Sequence, residues 1–167
     1  MLAARYIRIY ELDWHQTATV EGLKFTSHPM VHYSSRGLFD KNETLWCSWS
    51  ILSSKKKLFF AGDTAYSPIV FQEIGAEIGG FDYALLPIGT YGNRKYGFNN
   101  HMNPMESFQA GLDIKTQAMI AIHWGTIDLS EEPLFEPAEL FRKVALKKEF
   151  DPKRLWILKI GETRVLE

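Results

Sequence analysis

An α/β fold in one domain is the class this sequence predicts, and three observations predict it. The second half alternates short apolar, strand-like runs with segments of helical periodicity. The first half offers strand-like runs only. The chain has 167 residues, 46% hydrophobic and 23% charged, a size at which folding buries roughly 70% of the unfolded chain's surface around one core.

Taken in order, residues 6–12 (Tyr-Ile-Arg-Ile-Tyr-Glu-Leu) are rich in aromatic and β-branched types and predict a strand, and residues 23–27 predict another. Polar residues and glycine between Gly37 and Glu43 mark a loop. The run 45–52 (Leu-Trp-Cys-Ser-Trp-Ser-Ile-Leu) predicts a strand, and a Ser-Ser-Lys-Lys-Lys turn closes a hairpin onto 58–61. Pro68 suits a first helical turn; Ile69, Phe71, Ile74 and Ile78 follow at helical spacing, and Gly79-Gly80 ends the helix. Beyond it come a strand at 83–88, a helix at 104–111 flanked by Leu112, and a strand at 118–123. A third helix is predicted at 136–148, with Leu140, Phe141, Val144 and Ala145 on one face, and a last strand at 155–160. There is no internal repeat and no low-complexity linker.

Lys plus Arg total 19 against 20 for Asp plus Glu, a net charge of −1, so the composition argues against a nucleic-acid partner. Cys47 is the single cysteine; it has no internal disulfide partner and fits a reducing compartment. No apolar run approaches the roughly 18 residues of a membrane span, and Arg5 and Arg8 fall where a signal peptide needs its apolar stretch. The expected location is cytoplasmic.

The residues that bear chemistry follow predicted strands or precede a helix, where open α/β sheets place their sites. Asp63 leaves the apolar run Phe-Phe-Ala-Gly-Asp-Thr, with Gly62 allowing close backbone approach. His123 leaves Met-Ile-Ala-Ile-His-Trp-Gly in the same way, His32 follows the second strand region, and His101 precedes the second helix. Each has a plainer alternative: Asp63 as a turn or helix cap, His123 as a half-buried core histidine, His101 as the flank of a helix capped by Asn103. His15 and His28 read as surface or loop residues without a role. Taken together, three histidines and an aspartate suit zinc, iron or manganese.

The segments Glu-Leu-Asp-Trp at 11–14, His32-Tyr33, Ser48-Trp49-Ser50, Ala61-Gly62-Asp63-Thr64, Pro-Ile-Gly-Thr-Tyr at 87–91 and Ala-Ile-His-Trp-Gly-Thr at 121–126 resemble the C-terminal half of the N-acylphosphatidylethanolamine-hydrolysing phospholipase D family. That family belongs to the metallo-β-lactamase superfamily, whose fold is an αββα sandwich. The resemblance implies that Asp63 bridges two zinc ions, that His32 ligates one and His123 the other, and that His101 lies near the scissile phosphate, making Asp63 and His101 the catalytic pair. The implied reaction is hydrolysis of a phosphodiester, a phospholipid among them, by a metal-activated hydroxide, with His101 stabilising phosphoryl charge or assisting the leaving group.

One departure bears on all of this. The superfamily's His-x-His-x-Asp-His string occurs nowhere in the sequence. A dinuclear site of this type uses about seven protein ligands, a count set by zinc's small coordination shells, and four of them are missing. Residues 1–167 are therefore expected to be a single metallo-β-lactamase-like domain that lacks its N-terminal half, an incomplete sandwich holding one ion or none by itself. The unpaired sheet should expose apolar surface and seek an upstream segment or a second copy of the chain. Two alternatives accompany this reading: a non-catalytic, oligomerising remnant, and a lactonase of the same superfamily. The aromatic stretch 46–49 is expected to pack in the core rather than line a lipid groove, with peripheral contact at a membrane surface as a further expectation of the resemblance.

Overall fold

A computed structural model describes residues 9–93 and 99–166. These residues form one seven-stranded sheet in sequence order with three α-helices. Strands β1 (Thr17–Val20), β2 (Leu23–His28), β3 (Ser48–Leu52) and β4 (Lys57–Phe60) pair antiparallel. Strands β5 (Phe81–Pro87), β6 (Thr116–Ile122) and β7 (Leu155–Trp156) then add in parallel. Crossover helices α1 (Pro68–Ile78), α2 (Pro104–Asp113) and α3 (Glu136–Lys147) connect the parallel strands. The expected α/β class, strands first and alternation after, is what the chain adopts.

Local chemistry accounts for the boundaries. Pro68 opens α1, and Gly79 closes it in the left-handed region (φ 76°), its N–H donating to Gly75 O. Asn103 and Glu106 form a reciprocal capping box at the start of α2. The β1–β2 hairpin turns on Glu21 and Gly22, with φ of 49° and 82°, the paired positive values that a two-residue hairpin requires.

Two strand expectations need correction. No strand forms at 9–12, and residues 6–8 lie outside the described residues. Ile9 is 77% exposed, and β-forming residues without a neighbouring strand have nothing to pair with. Among the described residues the sheet instead begins with Thr17–Val20. The last strand is two residues long, not six, because the chain turns back where Glu162 N–H donates to Lys159 O.

All three helices lie on one face of the sheet. There Phe59, Ala84, Leu86, Met119 and Ala121 meet Phe71 and Ile74 of α1, Phe108 of α2 and Phe141 of α3. Register and the two-residue period assign the other face to Val20, Phe25, Trp49, Ile51, Leu58, Phe60, Tyr83, Leu85, Ile120 and Trp156. Tyr83, Ala118 and Ile120 form a small cluster there, and Phe60 is 38% exposed. A hollow of about 630 Å³ opens on this face, lined by Lys56, Tyr83, Trp156 and Arg164 among others. Among the described residues no helix covers this face, where Tyr83, Ala118 and Ile120 are buried and Phe60 is exposed.

Of the stretch 46–49 expected in the core, Trp46 packs against the helix-side core, its indole N–H donating to Met30 O at 2.7 Å, whereas Trp49 is half-buried on the other face beside Phe60. His28 departs from expectation. It is fully buried on β2 rather than in a surface loop, and burial holds its imidazole below the ordinary range, although Glu77 acts to raise it.

Candidate metal and catalytic site

Four separated segments converge at the carboxyl ends of β4 and β6. Asp63 follows Gly62, whose φ of 64° turns the chain out of β4. The next residue, Thr64, is fully buried and stitches this turn to the His32 segment. Val31 N–H donates to Thr64 Oγ1 at 3.1 Å, and Ala65 N–H donates to Val31 O at 2.9 Å. His32 is therefore positioned by the Gly-Asp-Thr turn itself.

The tautomer of His32 follows from its contacts. Its Nδ1 lies 2.9 Å from Tyr33 O, and a carbonyl can only accept, so Nδ1 carries the proton. The Tyr33 ring stacks on the imidazole at 4.9 Å. Nε2 is left with its lone pair, buried and without a hydrogen-bond partner. This is the state of a metal-ligating histidine whose other nitrogen is held by a carbonyl.

His123 directly follows β6 with φ at 58°, a left-handed conformation that costs a residue with a Cβ roughly 1–2 kcal/mol. Strain of this kind commonly marks a functional position. Its Nε2 stands 3.5 Å from Asp63 Oδ2 and its Nδ1 lies 3.4 Å from Thr90 Oγ1. The His101 ring lies 5.3 Å from that of His32 and 5.1 Å from that of His123. Ligand atoms of His32, Asp63 and His101 all fall within 4.8 Å of one another. All four sequence-predicted residues are thus brought together. The tight trio contains His101 in place of His123, which joins through Asp63.

Electrostatics follow the same contacts. The interaction with His123 lowers the Asp63 carboxyl below its ordinary range despite burial, with smaller contributions from His101 and His32. Reciprocally, Asp63 raises the His123 imidazole against the effect of burial. Burial, aided by the neighbouring His123 and His32 and opposed by Asp63 and Glu132, pushes His101 down to about 4, so it is a neutral imidazole at pH 7.

Two contributors escape sequence reasoning. Glu132 accepts from the backbone N–H groups of Thr90 (2.5 Å), Tyr91 (3.3 Å) and Gly92 (2.8 Å) and from the Ser130 hydroxyl, fixing the loop that follows β5 beside His123. Nothing in the sequence links positions some 40 residues apart. Gly89 allows that loop to approach, since a Cβ there would lie 2.4 Å from His123 O. A glycine directly after the strand 83–88 was the available signal.

Comparison with known proteins agrees with this architecture. Residues 2–124 match the family described as the beta-lactamase superfamily domain. The chain is 30% identical over 146 residues to N-acyl-phosphatidylethanolamine-hydrolyzing phospholipase D 1 of Caenorhabditis elegans, covering 84% of this chain and 41% of that protein. It is 35% identical over 143 residues to the mitochondrial N-acyl-phosphatidylethanolamine-hydrolyzing phospholipase D of Saccharomyces cerevisiae, covering 82% of this chain and 31% of that one. The chain therefore spans less than half the length of either relative. Among solved structures, Igni18, a metallo hydrolase from the archaeon Ignicoccus hospitalis, shares the fold with a TM-score of 0.70 at 21% identity, over 95% of this chain and 60% of that chain. With the matched domain covering most of its residues, the chain belongs to the metallo-β-lactamase superfamily.

Proposed function

We propose that this chain carries the C-terminal half of the active site of a metal-dependent phosphodiesterase of the N-acylphosphatidylethanolamine phospholipase D type. The observation that supports it most directly is the buried, unpartnered Nε2 of His32, set beside Asp63, His101 and His123. The relatives with that named activity add the substrate class. In this reading His32, Asp63 and His123 hold divalent metal, with zinc the best match to imidazole and carboxylate donors and iron or manganese as further candidates. When bound, the metal polarises the phosphodiester and lowers the pKa of water near neutrality.

The chain's own residues do the rest. Asp63 keeps its charge because His123 stands beside it. The Tyr33 carbonyl holds the His32 ring with Nε2 bare. His101, neutral at pH 7, donates a hydrogen bond from one ring nitrogen to a phosphoryl or leaving oxygen. The remaining ligands come from a segment preceding the matched region, which also covers the apolar sheet face.

The experiment compares the chain alone with the chain supplied with a relative's upstream half, each with and without His32→Ala and Asp63→Asn. Bound zinc and hydrolysis of N-acylphosphatidylethanolamine vesicles are measured, with a lactone as the competing substrate. Alone, the substitutions should remove at most one ion. With the upstream half they should remove two ions and the hydrolysis together. With the upstream half supplied, zinc unaffected by these substitutions, or turnover of the lactone in preference to the phospholipid, overturns the proposal.

The uncovered apolar face, with Phe60 38% exposed, favours a second reading: a non-catalytic module that self-associates through that face. A chain that dimerises through it and gains no hydrolysis with the upstream half would support that reading instead.

A further inference from the structure

Over β2 and β3 the helix-facing side of the sheet turns polar. His28, Ser48 and Ser50 point there, and all three are fully buried. Buried polar atoms in native folds have partners, so an orphan requires an explanation. His28 Nδ1 is such an orphan. The other nitrogen of that ring, Nε2, is engaged at 2.6 Å with Ser50 Oγ. With Nε2–H donating to the serine, Nδ1 presents a lone pair, the orientation that an outer-shell hydroxyl imposes on a ligating imidazole.

His28 does not stand alone. Ligand atoms of His15, His28 and Glu77 lie within 4.8 Å of one another. Among the described residues this is one of two such groups, and it shares no residue with the cluster at the ends of β4 and β6. Tetrahedral zinc with bonds near 2.0–2.1 Å needs ligand atoms about 3.3 Å apart. The distance left to close falls on His15 and Glu77, which are exposed, rather than on His28. His15 is held close by its own backbone, whose N–H donates to Ser27 O at 2.7 Å. Two imidazoles and one carboxylate select a borderline divalent cation, with a fourth position open to water.

We propose that His15, His28 through Nδ1, and Glu77 form a second divalent-cation site of the zinc class, structural in role, tying the C-terminal turn of α1 to β2 and the segment that precedes β1. The site is independent of the proposed phosphodiesterase reading.

The test uses the full chain carrying His32→Ala and Asp63→Asn, which silences the first cluster, and titrates it with zinc alone and with cobalt(II) for its absorption spectrum. One equivalent of zinc should bind, cobalt should show a low-symmetry, four-coordinate spectrum, and zinc should raise the unfolding midpoint. Glu77→Gln and His15→Asn alter exposed residues, asparagine tolerating the left-handed backbone of His15 (φ 65°). Each should weaken zinc binding at least about tenfold, and Ser50→Ala should weaken it about 10–100-fold by releasing the His28 ring. Absence of zinc from the silenced chain overturns the proposal, as does an affinity unchanged by both Glu77→Gln and His15→Asn.

Discussion

Replacing Gly89 with alanine tests whether the loop after β5 positions His123. The new Cβ would lie 2.4 Å from His123 O, 3.5 Å from His123 C and 3.6 Å from Trp124 Cα. An unstrained carbon–oxygen contact is about 3.3–3.6 Å, so roughly 1 Å must be found in backbone rather than in a flexible side chain. Little slack exists, because Ile88 N–H is bonded to Ile122 O at 3.1 Å and Pro87 pairs with Ile122. Overpacking of this kind costs about 1–3 kcal/mol. At about 2–4 °C per kcal/mol for a chain of this size, the midpoint should fall by roughly 2–12 °C. The displaced strand end moves His123 relative to Asp63, now 3.5 Å away, so zinc affinity at the first cluster should also fall. Urea unfolding at constant m and chelator competition in a Glu77→Gln background measure the two effects. Gly22→Ala is the control: φ is 82° there and nothing lies within 4 Å, so it should cost about 1 kcal/mol through backbone strain and leave zinc affinity unchanged. A Gly89→Ala chain within about 0.5 kcal/mol of the parent and with the same zinc affinity would refute the reasoning.

Two further expectations concern the loop and the open face. Burial acts to raise the Glu132 carboxyl, but the Ser130 hydroxyl and the backbone N–H groups of Glu132, Gly92 and Thr90 together hold it below its ordinary 4.5. A carboxyl lowered on folding stabilises fully above its unfolded value and loses that contribution as pH falls through the folded one. Glu132→Gln should therefore cost about 1–3 kcal/mol at pH 7 and give a flatter stability profile between pH 6 and 3; parallel profiles for the two chains would count against this role. On the uncovered face, Phe60→Lys should weaken self-association of the isolated chain at least tenfold by sedimentation, and a parent that stays monomeric at all concentrations would remove the basis for that expectation.

How much of this was legible depended on how local each cause is. The bounds of α1 were readable because Pro68 and Gly79 act within a turn of their own positions. The start of α2 was readable because Asn103 and Glu106 cap it within four residues. The β1–β2 hairpin was missed although Glu21-Gly22 separates two alternating runs, because threonines diluted the apolar signal. Residues 9–12 misled in the opposite sense: their composition favours a strand, but pairing needs a neighbour that composition cannot supply. His32, Asp63 and His123 were legible as polar residues ending apolar runs. Glu132 and the burial of His28 were not, since one depends on hydrogen bonds across some 40 residues and the other on which face α1 covers.

The two faces of the sheet bear on the site as well as on the core. Parallel strands buried on both sides read as near-continuous apolar runs, and β5 after Asp82 and β6 after Gln117 do so here, yet the helices cover only one side. A layer placed over the other side would therefore meet strands whose sequence already suits burial. The cluster of His32, Asp63, His101 and His123 sits at the strand ends, at the rim that such a layer must also reach if it brings further ligands. Under the proposed function, covering the face and completing the ligand set become one event. Metal binding then strengthens docking, and docking strengthens metal binding, by the same factor, because coupling between two ligands of one protein is reciprocal.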